Sequence, residues 1–239
     1  MKIRIIAPIV GDRFNREILE EASLCKSPDT EIDVVNLEKG PESIESIYDE
    51  YGSELEVIRR VKEAEKEGAH GVFVDCFNEP GVEGARELVR IPVVGGFKPA
   101  ALTASLISGR WSVVTTLQST LTRIRNLSRE LGIDKNIASI RWVDIPVLGL
   151  HDKGQLQERL LLQIERAVKE DGAEACVLGC TGMLGIAKAL SKEMEARKRP
   201  VPVIDPTATA IGYLELLIRS KISQSPLTYL TPPEKERLY

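Results

Sequence analysis

Apolar residues along this chain fall into short runs that alternate with longer stretches of helical spacing, from one end to the other. Residues 2–7 form a β-rich run, residues 14–24 an amphipathic stretch, and residues 31–37 a second strand. Ile44, Ile47, Tyr48, Leu55, Ile58 and Val61 recur at helical spacing within residues 43–67, and residues 72–74 and 92–94 are short apolar runs of the kind buried on both faces. The rhythm then restarts. Residues 110–115 predict a strand, 119–131 a helix, 139–143 a strand, 155–170 a long helix, and 175–178 and 202–204 two more strands. A terminal helix over 207–219 and an extended tail over 223–239, with Pro226, Pro232 and Pro233, complete the chain.

Strands that alternate with helices belong to parallel sheets, because a parallel neighbour needs a crossover helix. The leading strands of the two series, starting at Ile3 and Trp111, lie 108 positions apart, which predicts an internal duplication and two similar α/β domains. Residues 1–97 with 207–239 are expected to form one domain and residues 98–206 the other, with a short crossing near 97–101 and a return near 205–208.

The duplication carries chemistry with it. Gly68-Ala-His-Gly-Val-Phe-Val-Asp-Cys76 and Gly172-Ala-Glu-Ala-Cys-Val-Leu-Gly-Cys180 read as one strand-to-loop unit used twice, 104 positions apart. Ligands on parallel sheets bind at the carboxyl ends of strands, and both thiols fall there. If the halves face each other, so do the thiols. Two opposed thiols, one protonated and one not, can remove a proton from one face of a carbon and return one to the other. Pro80 suits the first turn of a helix running through Leu88, and Thr181 is placed to cap a helix over 184–194, so each thiol is expected near a helix start. Amides and the helix dipole there favour a thiolate, with a pKa lowered by a unit or more from ~8.5, and could hold an enolate oxygen. Cys25 and Cys176 sit within apolar stretches and read as core residues.

Composition narrows the rest. The chain has 239 residues, 43% apolar and 28% charged, and a net charge of −4, which argues against nucleic-acid or anionic-membrane partners. The opening Met1-Lys-Ile-Arg-Ile-Ile-Ala-Pro8 is too short for a signal core or membrane span, and four cysteines without zinc-like spacing read as free thiols, so a cytoplasmic location is expected. No metal constellation or phosphate-cradling glycine motif is present. Gly95-Gly96 reads as a tight turn, while His70 and His151 read as surface or capping residues.

Asp75-Cys-Phe-Asn-Glu-Pro-Gly-Val82 and Gly179-Cys-Thr-Gly-Met183 resemble the two cysteine motifs of hydantoin racemases in the aspartate/glutamate racemase superfamily, and Gly40-Pro-Glu-Ser-Ile-Glu-Ser-Ile-Tyr-Asp-Glu50 resembles the segment before the first cysteine in that subgroup. The resemblance spans nearly the whole chain. It implies two α/β domains related by a pseudo-twofold axis with the active site between them, and cofactor-independent racemisation of 5-substituted hydantoins or allantoin, with no metal. Cys76 and Cys180 would be the two bases, the partner a small hydantoin-like ring, and the protein a homo-oligomer. In the family the loop after the first strand is rich in Asn and Thr or Ser, whereas Ala7-Pro8-Ile9-Val10 keeps only the proline.

Pro8, Ser43, Ile44, Phe77, Asn78, Thr115, Thr116, Thr181 and Gly182 are the candidate substrate contacts, with Ser43 and Ile44 implied by the resemblance alone. The hydroxyls of Thr115 and Thr116 suit a ring carbonyl or, equally, strand capping beside Ser119, and Asp205 suits an N-cap for the terminal helix. Neither cysteine loop, 76–82 or 180–186, contains Lys or Arg, which favours a neutral substrate over a zwitterionic amino acid. An aspartate or glutamate racemase, a one-cysteine decarboxylase or isomerase, and a non-catalytic binding module stay open as alternatives.

Overall fold

The computed structural model describes residues 1–237; the expected tail ends at Tyr239, so its last two positions lie outside the described residues. The order of elements is β1 (Lys2–Val10), α1 (Asn15–Cys25), β2 (Glu31–Leu37), α2 (Ile47–Lys66), β3 (Gly71–Val74), α3 (Val82–Arg86), β4 (Val93–Val94), α4 (Phe97–Ile107), β5 (Trp111–Thr115), α5 (Leu121–Glu130), β6 (Ile137–Trp142), α6 (Lys153–Glu170), β7 (Ala175–Leu178), α7 (Ala187–Ala196), β8 (Val203–Ile204) and α8 (Pro206–Arg219). The strands form two four-stranded parallel sheets ordered β2-β1-β3-β4 and β6-β5-β7-β8, the same topology twice.

Alternation within the strands decides which helix covers which face. In the first sheet Ile6, Val72 and Val74 pack on Val57, Val61 and Ala64 of α2, while Ile3, Ile5 and Phe73 turn to Ile18 and Ala22 of α1 and Ile211 and Leu214 of α8. In the second, Val114 and Leu178 pack on Leu156, Leu160 and Ile164 of α6, while Trp111, Val113 and Val177 meet Ala100 and Ala104 of α4 and Ile124 of α5.

The crossing near residues 97–101 is therefore not short. It is the eleven-residue helix α4, which leaves the first sheet and covers the second, while α8 leaves the second and covers the first. This run carries weak helical periodicity because apolar Leu102, Leu106 and Ile107 stand exposed while Ala100, Ala101 and Ala104 are buried, and this hid α4 in the sequence. Asp205 caps α8 as expected, accepting from the Ala208 amide at 3.0 Å, with Pro206 in the first turn. Gly68 and Gly172, at matching places after α2 and α6, both take the left-handed conformation, φ +83° and +72°, which explains why that position is glycine in both halves. Residues 223–237 contain no helix or strand, and Arg86 and Arg90 bond to Tyr229 and Thr231 of this tail. Among the described residues no helix is long and apolar enough to cross a membrane.

Candidate active site

β3 and β7 are neighbours of the leading strands β1 and β5, and the chain leaves both at their carboxyl ends. One cleft lies there, enclosing ≈ 650 Å³ of empty space including the part open to solvent. Cys76 and Cys180 both line it, as do Pro8, Ile44, Phe77, Asn78, Thr116, Thr181 and Gly182. The structure thus brings together nine of the eleven candidate positions, from β1, from the loop before α2, from the end of β5, and from both cysteine turns.

Two candidates lie elsewhere. Thr115 is fully buried, and its hydroxyl is occupied: it shares a hydrogen bond of 3.0 Å with the Thr120 hydroxyl and donates to the Gly179 carbonyl at 3.1 Å. Ser43 is half-buried outside the cleft, because the apolar Ile44 takes the inward side. Sequence reasoning did not single out Ile9, Phe14, Ile18, Val147 or Leu184, which complete the apolar walls, or the polar Thr120 and Asp75, the latter the one carboxyl in the lining. Phe14 and Ile18, four apart at the start of α1, carried a helical signal; Asp75 carried only its adjacency to Cys76.

The thiols are not placed at helix starts. Glu79 adopts φ +60° and Gly81 φ +68°, so Pro80 belongs to a turn and α3 begins only at Val82 and stops at Arg86. After Cys180 the chain makes further turns before α7 begins at Ala187, and Thr181 caps nothing; its hydroxyl crosses to the Asp75 carbonyl at 3.1 Å. What the two turns share is local. In each, the backbone amide two residues on points at the sulfur, Asn78 to Cys76 and Gly182 to Cys180, the latter at 3.4 Å.

One amide each does not offset burial. Removal from water pushes the Cys180 thiol up to about 12 and raises Cys76 well above its ordinary value, against the expectation of a lowered pKa. Each thiol also meets negative charge: Glu50, Asp75 and the other cysteine raise Cys76, and Asp75 and Glu45 raise Cys180. Both cysteines are partly accessible, and neither forms a disulfide. Burial likewise raises Asp75 to about 7, with Thr181 opposing and Asp205 reinforcing the shift.

The turn at Cys76 is clamped from several directions. The Glu79 carboxylate accepts the Lys98 amide in the first turn of α4 at 2.7 Å, and the Gly96 amide donates to the Cys76 carbonyl at 3.1 Å. Gly95-Gly96 is not a positive-φ turn. A Cβ at Gly95 would lie 2.3 Å from Glu79 Cγ, and one at Gly96 would lie 3.2 Å from the Cys76 carbonyl oxygen, so close approach of the cysteine turn requires both glycines. Arg123 of α5 pairs with buried Glu50 at 2.7 Å and donates to the Asn78 carbonyl at 3.3 Å, and Glu45 accepts the Val147 amide at 2.6 Å. These contacts tie the loop before α2 to the other sheet.

Charge in the lining is one-sided. No lysine or arginine lines the cleft, and the nearby cations are engaged: Lys98 with Glu79 and Glu83, Arg123 with Glu50, Lys153 with the Leu184 carbonyl. Among the described residues no group of three or more His, Cys, Asp or Glu is arranged to hold a metal ion.

Comparison with known proteins places this geometry among relatives. The family model described as Asp/Glu/Hydantoin racemase matches residues 3–214. The chain is 36% identical to a hydantoin racemase of Pseudomonas sp. (strain NS671) over 238 residues, 99% of this chain and 94% of the relative. Among solved structures, an allantoin racemase from Klebsiella pneumoniae superposes with a TM-score of 0.93 at 34% identity, covering 100% of this chain and 96% of that one. The allantoin racemase from Pseudomonas fluorescens gives a TM-score of 0.92 at 32% identity, with full coverage of both chains.

Proposed function

This chain belongs to the Asp/Glu/Hydantoin racemase family, which makes it an isomerase, and on that premise we propose that it interconverts the D and L forms of 5-monosubstituted hydantoins, or of allantoin, by two-base proton transfer at ring carbon C5 without a cofactor. The observation that carries this reading is a cleft with a thiol on each cysteine turn and no cation in its walls. A free amino acid would bring a carboxylate and an ammonium, and no lysine or arginine lines the cleft to receive the carboxylate. A hydantoin ring is neutral. Its C5 proton lies beside a ring carbonyl, so the electron pair left at C5 spreads onto that oxygen.

In the proposed reaction one cysteine, as thiolate, takes the C5 proton: the C5–H bond breaks, an S–H bond forms, and the pair moves onto the carbonyl oxygen as an enolate. The opposite thiol then protonates C5 from the other face and is left as thiolate. The ring leaves as its mirror image, and proton exchange with solvent resets the pair. The main-chain amides of Asn78 and Gly182 steady whichever sulfur is charged. Because burial raises both thiols, the thiolate is scarce at neutral pH, and on the acid side of neutrality the rate rises with pH, ~tenfold per unit.

The test is to incubate single enantiomers of a hydantoin panel and of allantoin with the protein in deuterium oxide, following optical rotation and deuterium at C5. Loss of rotation with one deuterium incorporated per inversion is expected. A protein that binds these rings and exchanges no proton would be a binding module instead.

A further inference from the structure

The residue before each thiol differs between the halves: Asp75 precedes Cys76, where Gly179 precedes Cys180. Asp75 lines the cleft at 8% exposure, and its Oδ1 is buried without a hydrogen-bond partner. An unpartnered buried oxygen of this kind costs ~1–3 kcal/mol, and a native fold keeps one where something else completes it. Among the described residues no cation pairs with Asp75, so the part of the residue that lines the cleft is open to a ligand held there.

We propose that Asp75 is a substrate contact that donates a hydrogen bond, as the neutral acid, to a carbonyl oxygen of a ring held at the thiol pair. This rests on the racemase reading above. The groups facing Asp75 hold the proton in place. Cys76 shares its turn and Cys180 stands on the turn across the cleft; Asp205 acts from the start of α8, with Glu21 of α1 bonded behind it. Glu50 of α2 and Glu45 of the preceding loop add negative charge at the thiols. Lys153 of α6 is the cation that acts on Cys180 and on Glu21, and Thr181 offers a hydroxyl. Burial among acids accounts for a carboxyl that titrates near 7 rather than in the usual range. As C5 loses its proton the carbonyl oxygen becomes an oxyanion; a neutral acid bonds it more tightly, whereas a carboxylate would repel both it and the thiolate.

Kinetics of the full chain and of Asp75→Asn and Asp75→Leu, on one hydantoin enantiomer from about pH 6 to about pH 8, test this. Asparagine donates without ionising, so its kcat at the lower pH stays within about threefold of wild type and the variant-to-wild-type ratio climbs up to about tenfold at the higher. Leucine fills the space without a donor and lowers kcat about 100-fold, with KM moved less. A pH-independent ratio for Asn, or an Asp75→Leu chain that folds and turns over as wild type, overturns the proposal. Should wild type racemise no ring, calorimetric binding of the same hydantoin decides the point separately. Affinity that falls with pH in wild type and stays level in Asp75→Asn supports the contact; the same pH dependence in both overturns it.

Discussion

At Cys76 and at Cys180 the chain leaves a strand beside the leading strand of its sheet, and the amide two residues on points back at the sulfur. Around those shared features the halves diverge. The Cys76 turn is bound to its surroundings through Glu79, the Gly96 amide and Arg123, and carries a carboxyl into the cleft. The Cys180 turn has a bare glycine at the matching place, packed against Thr115, and sends the Thr181 hydroxyl across to the Asp75 carbonyl. Duplication thus kept the placement of the thiols and left the residues beside them free to differ, so the two sides of the cleft offer different chemistry.

Removing one thiol at a time is the strongest way to break the comparison. Cys76→Ser and Cys180→Ser each lower racemisation by at least about 10³-fold, a loss of the size expected for a general acid–base group. Each retains deuterium exchange with one enantiomer only, and the two variants retain opposite ones; full racemisation by either would remove the two-base mechanism.

Asp75 sharpens the contrast through pH. Its folded pKa of about 7 lies above the ordinary 3.8, so the stability it contributes is whole below the lower value and is lost as pH rises through the upper one. The unfolding free energy of Asp75→Asn relative to wild type, read from denaturant melts, therefore rises from about pH 4 to about pH 7 and then levels off, a gain on the order of a few kcal/mol. A flat difference would mean that the carboxylate is not disfavoured in the fold.

Gly179→Ala probes the other half. The added Cβ would sit 2.7 Å from Thr115 Cβ and 2.9 Å from its Cα, so it costs ~1–3 kcal/mol in denaturant unfolding. Thr181→Val severs the bond between the turns and leaves the Asp75 carbonyl without that donor, at ~1 kcal/mol. Ser43→Ala, outside the cleft, leaves kcat and KM unchanged in the racemisation assay.

Much of this was legible in advance because it is written locally. The strands over 175–178 and 31–37 carry their own apolar pattern, and the left-handed glycines mark the ends of the same helix in both halves. The cysteines declared themselves by register. Helix α4 stayed hidden because its exposed side carries Leu102, Leu106 and Ile107, so no polar face marks it. Thr115 and Thr116 are neighbours in sequence with opposite fates, one tied inside the fold and one lining the cleft, and nothing in either residue type separates them.

The sequence by itself determined the alternation of strands and helices, the duplication, the matched thiols and the family, because each is set by periodicity or by short motifs. Tertiary structure alone decided that α4 and α8 each cover the other sheet, that both thiols are raised rather than lowered, and that Asp75 lines the cleft with no lysine or arginine in its walls. Those outcomes depend on what the second half packs against the first. Dehydration and charge at a site are sums over neighbours far apart in the chain, which no local pattern records.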